Sequence, residues 1–207
     1  MAKLYFVRHG KTEWNLDGRF QGGTGDSALL EESLKDATLT GKALKNIEFK
    51  QIYVSPQKRA KDTAKLILAE REESIPLIEE KDLREFGFGE WEGKHFSYAL
   101  ETEPEEFHHL REQPEKYNPT NFGGETYPSL IERSLNVIHT ALKEHSDENL
   151  LFVAHGVTLT AIIQSLLGAE IKDIRSNGLM SNTSISVLEV KNTATTLIKW
   201  DDTDHLS

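Results

Sequence analysis

The chain predicts an α/β fold, a three-layer sandwich in which a mainly parallel central sheet carries helices on both faces and a small lid insertion. Three observations carry that expectation. Short apolar runs alternate with amphipathic stretches of helical length along the 207 residues, which is the mark of βαβ units. The pattern Phe-Val-x-His-Gly-x-Thr occurs twice, at Phe6–Thr12 and Phe152–Thr158, and each copy closes an apolar run of the kind that forms a strand buried on both faces. A polar stretch from Lys94 to Phe122, broken by Pro104, Pro114 and Pro119, interrupts the alternation and reads as a partly helical excursion over the strand ends. With 37% hydrophobic residues the chain can bury one substantial core, so residues 1–207 read as a single domain with 94–122 as its lid.

In chain order, the first strand is Lys3–His9, an unbroken apolar run ended by Gly10, where the backbone can turn. Ala28–Lys45 has helical spacing. Gln51–Ser55 is the next strand, and Ser55-Pro56 reads as a helix start, a capping hydroxyl followed by proline in the first turn, opening a breaker-free stretch from Gln57 to Arg71. Leu77–Glu79 is a short strand. After the excursion come a helix at Ser129–His145, a strand at Asn149–His155 and a helix at Leu159–Leu167 stopped by Gly168. Strands at Ile185–Val190 and Thr195–Trp200 complete the sheet, and Asp201–Asp204 reads as a frayed tail.

Composition narrows the function. A net charge of −10 excludes a general nucleic-acid surface, which needs clustered lysine and arginine. The chain has no cysteine, hence no disulfide framework, thiolate metal site or cysteine nucleophile, and a reducing cytoplasm is the expected setting. The N-terminus runs directly into the first strand, with no charged leader and no long apolar stretch, so neither a signal peptide nor a membrane span is expected. A homodimer is the default assembly.

Both histidines of the doubled pattern fall at strand C-termini, the edge of an open α/β sheet where ligands bind. Arg8 directly precedes His9, and Arg59 falls in the first turn of the helix after Ser55-Pro56, where the dipole and unpaired amides favour an anion. Two guanidiniums and two imidazoles converging on one point describe a receptor for a tetrahedral dianion, because the guanidinium fork matches phosphoryl oxygens. The expected ligand is a small-molecule phosphate ester. His95 and His108-His109 lack metal-ligand spacing, His139 and His145 read as helix-surface residues, and Glu70–Glu73 as a solvated helix end. Gly123-Gly124 is followed by no nucleotide-binding signature.

The chain resembles the histidine phosphatase superfamily, the phosphoglycerate-mutase-like group marked by Arg-His-Gly near the N-terminus. The resemblance runs in family order through Leu4–Asn15, Gly18–Gly22, Ser55–Ala64, Leu83-Arg84-Glu85 with Phe88–Gly93, Gly124-Glu125-Thr126 and Ala154-His155-Gly156. It implies that His9 is the nucleophile that becomes a phosphohistidine, that Arg8, Arg59 and His155 hold the phosphoryl oxygens, and that Glu85 protonates the leaving oxygen. Asn15, Thr12, Gln21 and Gly156 are implied as further substrate contacts, with no metal and no cofactor required. Positive neighbours are expected to depress the pKa of His9 and keep it nucleophilic. Bisphosphoglycerate-dependent mutases of the group continue from the glutamate with Arg-x-Tyr-Gly and carry an adjacent arginine pair in the insertion that holds the substrate carboxylate. Here Glu85 is followed by Phe86-Gly87-Phe88, and residues 94–122 hold only Arg111 with Lys94 and Lys116, so a carboxylate is expected to lack that grip. Trp14, Phe86, Phe88, Trp91, Phe96, Tyr98, Phe107 and Phe122 suggest an apolar entrance instead. The reading is a phosphomonoesterase, with a mutase and a catalytically idle phospho-ligand binding protein as its rivals.

Overall fold

In a computed structural model, which describes residues 1–191 and 194–207, the apolar runs become β1 (Ala2–Arg8), β2 (Gln51–Val54), β3 (Leu77–Glu79), β4 (Asn149–Ala154), β5 (Ile185–Lys191) and β6 (Ala194–Asp202). They form one sheet of order β3-β2-β4-β1-β5-β6. Pairing is parallel from β3 to β1 and antiparallel at β1–β5 and β5–β6, so β5 alone runs against the rest. The helices are α1 (Glu13–Leu16), α2 (Glu31–Leu44), α3 (Lys58–Ala69), α4 (Phe96–Thr102), α5 (Pro104–Glu112), α6 (Tyr127–Glu144) and α7 (Gly156–Leu166).

Strand periodicity sorts the core onto the two faces of the sheet. Leu4, Phe6 and Phe152 point to one face and pack with Ile138 of α6 and Ile162 of α7. Val7, Ile52 and Val153 point to the other and pack with Leu44 of α2 and Ile67 of α3. These are the three layers, and each central strand is apolar on both sides because both sides are covered. A third cluster lies beneath residues 94–122: Trp91 stacks on Phe122 with ring centroids 4.1 Å apart, and Phe86 meets Tyr127 of α6 at 4.9 Å. The excursion comprises α4, α5 and 3-10 turns at Pro114–Lys116 and Pro119–Phe122 seated on these rings.

Several boundaries differ from the sequence expectation for identifiable reasons. Helix α3 starts at Lys58 with Gln57 at its N-cap and no side-chain cap bond, because the Ser55 hydroxyl is engaged elsewhere, 2.6 Å from His155 Nε2. Helix α2 starts only at Glu31, since residues 28–30 pair as extended chain, the Ala28 carbonyl accepting from Glu13 N–H and Leu30 N–H donating to the Lys11 carbonyl. Helix α6 starts two residues early, at Tyr127, because Thr126 caps it by accepting from Ser129 N–H, with Pro128 in the first turn. Helix α7 begins at Gly156, directly after His155, which takes the extended N-cap conformation (φ −128°, ψ 164°). Gly168 follows α7 with φ +85°, the left-handed conformation that glycine accepts without strain. The acidic tail is not frayed: Asp201 and Asp202 belong to β6, and the Asp201 carboxylate accepts from Ser181 N–H and hydroxyl. Those bonds anchor the strand end that sequence composition alone marks as solvated.

Candidate active site

The doubled pattern acquires its meaning from strand register. β1 and β4 are parallel neighbours in which Arg8 pairs with Ala154, so the next residue of each strand, His9 and His155, leaves the sheet beside the other. Their rings lie 5.1 Å apart between centroids, and His9 N–H donates to the Ala154 carbonyl at 2.9 Å. Both imidazoles are buried. Arg59 comes from the first turn of α3 and is fully buried, its guanidinium donating to the carbonyls of Gly25 and Gly22 and to Asp26 Oδ1, and its Nε reaching His9 Nε2 at 3.3 Å.

These contacts set the state of His9. Its Nδ1 lies 2.7 Å from the Gly10 carbonyl, which can only accept, so Nδ1 carries the proton. The lone pair is therefore on Nε2, which faces a guanidinium N–H. Burial, then Arg59, then Arg8 hold the His9 pKa well below its ordinary value, outweighing the opposite pull of the Gly10 carbonyl. The ring is neutral, with a defined tautomer and its lone pair at Nε2. His155 is likewise held well below its ordinary value by burial, Arg59, His9 and Arg8. Its Nε2 meets the Ser55 hydroxyl, whereas its buried Nδ1 has no protein partner. Arg8 donates through Nη1 to the Met180 carbonyl at 2.6 Å, and its Nε is buried and unpartnered. Gly156 packs against this guanidinium so closely that an added Cβ would stand 3.1 Å from Arg8 Cζ. Arg8 Nε and His155 Nδ1 are thus buried polar atoms without protein partners beside His9, and each costs desolvation free energy until a partner arrives.

Glu85 is buried and seated on the first turn of α7. Its Oε1 accepts from Phe86 N–H (2.8 Å) and Thr158 N–H (3.0 Å), with the Thr158 hydroxyl at 2.9 Å, and Oε2 accepts from Val157 N–H (3.1 Å). The Val157 and Thr158 amides are those that the start of α7 leaves without internal partners. Behind it, Arg133 of α6 forks onto the Glu125 carboxylate at 2.6 and 2.7 Å and donates to the carbonyls of Asp82, Arg84 and Glu85. Arg133 and the Gly87 amide hold Glu125 below the usual carboxylate range despite its burial. The loop carrying Glu85 is thus clamped by a buried ion pair.

The site opens into a cavity of about 280 Å³ whose wall includes Arg8, His9, Asn15, Gln21 and Glu85. Phe20, Phe88, Phe96, Phe107, Leu110 and Leu179 form its apolar part. Of the aromatics expected at an entrance, Phe88, Phe96 and Phe107 line it, while Phe86, Trp91 and Phe122 are core. Thr12 is fully buried and caps α1 by accepting from Asn15 N–H, with the Gln21 amide 2.6 Å from its hydroxyl, so it orients two wall residues without lining the wall itself. His108 and His139 are exposed, while His109 is half-buried against Glu106. Among the described residues no cluster of histidine and acidic side chains could hold a metal ion, and no helix is long and apolar enough to cross a membrane.

Sequence reasoning missed Ser55, Thr158, Asp26, Arg133, Arg19 and Arg175. Thr158 had a visible signal, as the counterpart of Thr12 in the second copy of the pattern, yet the two threonines do different work, one capping α1 and the other holding Glu85. The remainder lie far along the chain from the residues they serve.

A buried neutral imidazole facing a cationic receptor defines an enzyme that transfers a tetrahedral phosphoryl group through histidine. Residues 4–203 match the Histidine phosphatase superfamily (branch 1), and the chain belongs to that family. It is similar to phosphoserine phosphatase 1 of Hydrogenobacter thermophilus, at 33% identity over 100% of this chain and 95% of the relative. It is also similar to the metal-independent phosphoserine phosphatase of Arabidopsis thaliana, at 32% identity over 100% of this chain and 84% of the relative. Among solved structures, Bacillus stearothermophilus YhfR superposes with a TM-score of 0.93 at 31% identity, over 100% of both chains. The chain is a phosphoric monoester hydrolase.

Proposed function

We propose that this enzyme hydrolyses small phosphate monoesters in two displacements on His9, with Glu85 as proton donor to the leaving oxygen. The observation that carries the reading is the tautomer of His9, whose Nε2 lone pair faces Arg59 while its Nδ1 proton is held by the Gly10 carbonyl. In the first displacement Nε2 bonds to phosphorus as the P–O bond to the leaving group breaks, and Glu85 supplies the proton that the departing oxygen takes. Oε2 is the oxygen suited to carry that proton, because it has a single partner, Val157 N–H. In the second displacement water attacks phosphorus, the P–N bond breaks, and Glu85 takes the water's proton. Arg8, Arg59 and the unpartnered Nδ1 of His155 hold the three non-bridging oxygens, with Asn15 and Gln21 at the cavity wall as further contacts. Gly156 lets Arg8 approach, and residues 94–122 serve as a lid over the cavity. Two relatives named as phosphoserine phosphatases support a short, polar leaving group, and a chain without cysteine suits the cytoplasm.

The test is phosphate release from a panel of monoesters without added metal, run beside a 3-phosphoglycerate assay with and without 2,3-bisphosphoglycerate. Release from several esters without primer-dependent isomerisation is expected. Isomerisation that outruns release would assign the mutase reaction instead.

A further inference from the structure

The peptide unit that joins His9 to Gly10 is held at both of its polar ends. Its N–H, on Gly10, donates to Thr63 Oγ1 at 3.0 Å, and its carbonyl, on His9, accepts from Asn182 Nδ2 at 2.9 Å. A trans peptide points these two groups in opposite directions, so α3 grips one edge of the unit and the turn before β5 grips the other. The Thr63 hydroxyl donates to the Arg59 carbonyl at 2.8 Å, which leaves its lone pairs for Gly10 and fixes their direction. Thr63 is fully buried and stands one turn beyond Arg59 on α3. The helix that brings Arg59 Nε to His9 Nε2 therefore also anchors the backbone beside His9 Nδ1.

The Asn182 side is built with backbone strain. Thr183 is buried with φ +58°, a left-handed conformation that a β-branched residue rarely adopts. Its surroundings enforce it: its N–H donates to the Arg8 carbonyl at 3.0 Å, its hydroxyl donates to the Asn182 carbonyl at 2.6 Å, and its own carbonyl lies 3.1 Å from both the Thr40 hydroxyl and His205 Nε2. In that conformation the Asn182 amide reaches His9, while the Met180 carbonyl takes Arg8 Nη1. On the far side of Gly10, the Lys11 carbonyl accepts from Leu30 N–H at 2.9 Å and from the Ser33 hydroxyl at 2.8 Å. The carbonyl between these two fixed neighbours is that of Gly10, which meets His9 Nδ1 at 2.7 Å. Glycine has no Cβ to restrict its rotation, so the direction of that carbonyl is inherited from the units held on either side. We propose that Thr63 and Asn182 are positioning residues for the phosphoryl transfer: by pinning the His9–Gly10 peptide they aim the Gly10 carbonyl at Nδ1, which keeps the proton there and the Nε2 lone pair directed at phosphorus. This rests on the phosphatase reading above, and neither residue lines the cavity.

The experiment follows the His9 ring by NMR in protein labelled with ¹⁵N-histidine, its signals identified by their absence in His9→Ala, and reads both the protonated nitrogen and the exchange rate of its proton with water. The same samples give kcat and KM for p-nitrophenyl phosphate and the inhibition constant for inorganic phosphate. Wild type is expected to carry a protected proton on Nδ1. Thr63→Val, which keeps the shape and loses the hydroxyl, and Asn182→Ala are each expected to speed exchange of that proton by about tenfold and to lower kcat by about tenfold, with KM and the inhibition constant within about threefold. Thr63→Ser loses a buried methyl and keeps the hydroxyl, so it is expected to melt below wild type yet hold exchange rate and kcat within about threefold. Asn182 is only half-buried, so its variant reads the pin independently of the packing around Thr63. Losses that follow melting temperature, with Thr63→Ser as impaired as Thr63→Val, overturn the proposal by showing a merely structural role. Exchange and tautomer unchanged in Thr63→Val and Asn182→Ala, in an enzyme that turns over esters, overturn the pin alone. Wild type inactive on every ester, with its Nδ1 proton protected, overturns the phosphatase reading and the catalytic role built on it.

Discussion

The floor and the rim of the cavity are built on opposite plans. On the floor His9 and Glu85 are buried, as are His155 and Arg59 packed against His9, each fixed by backbone or buried side-chain partners drawn from β1, β4, α3 and α7. At the rim Phe96 is 41% exposed and Arg111 is exposed, on short helices that pack over an aromatic cluster of their own. The floor is costly to fold, since it gathers a guanidinium, a carboxyl group and two unprotonated imidazoles out of water, and that cost is what keeps the His9 imidazole neutral and its surroundings organised before substrate arrives. The rim costs little and is free to vary. Bond-breaking chemistry should therefore respond steeply to floor changes, and substrate choice to rim changes.

The sharpest way to break that division is His9→Ala, which should reduce turnover by at least about 10⁴-fold while leaving the fold intact, by circular dichroism and thermal melting. Retained turnover would place the nucleophile elsewhere. Arg59→Met should lower kcat by about 10²–10³-fold and destabilise the fold by about 3 kcal/mol in urea melts, because Asp26 loses its buried partner. Glu85→Gln should slow alkyl esters by about 10²-fold and nitrophenyl phosphate far less, since a good leaving group needs no proton. Arg133→Met should reproduce that leaving-group dependence in weaker form, by loosening the loop that carries Glu85, and equal losses on both esters would show Arg133 to be merely structural.

A smaller effect concerns pH. His9 and His155 are held well below 6.5 when folded, whereas in the unfolded chain they bind protons near the ordinary value. The unfolded state thus takes up more protons as pH falls below about 6.5, and stability should decline between about pH 6.5 and 5 while these groups contribute no slope above that range. His205, lowered by burial, adds to the same slope. Melting temperatures across this range should fall more steeply for wild type than for His9→Ala, and a flat profile in wild type would contradict the burial of neutral imidazoles. The least effect is expected from Phe96→Ala at the rim, within about 0.5 kcal/mol of wild-type stability and a few-fold in KM.

What the sequence made legible follows the same division. The central strands β1, β2 and β4 were readable as short apolar runs buried on both faces, and the largely exposed edge strand Leu77–Glu79 also falls where expected. The pairing of His9 with His155 was foreshadowed by the repeated pattern, although only the register of Arg8 with Ala154 places them side by side. Arg8, Arg59 and Glu85 were accessible through motif resemblance. Ser55 was misread because a hydroxyl before proline has the same local signature whether it caps a helix or meets a histidine 100 residues away. Arg133 and Arg175 carry no local signal, since their partners are tertiary: carbonyls of residues 82–85 for one, Tyr127 for the other. Asp201 has the composition of a frayed tail, and composition cannot show that Ser181 donates to it.

The most direct test of the account is to quench the enzyme during turnover of a phosphate monoester and locate the phosphoryl group by ³¹P NMR and peptide mass spectrometry. The account predicts a phosphohistidine at His9, linked through Nε2 because Nδ1 is committed to the Gly10 carbonyl. A phosphoryl group on Nδ1, on His155 or on no residue at all would contradict it.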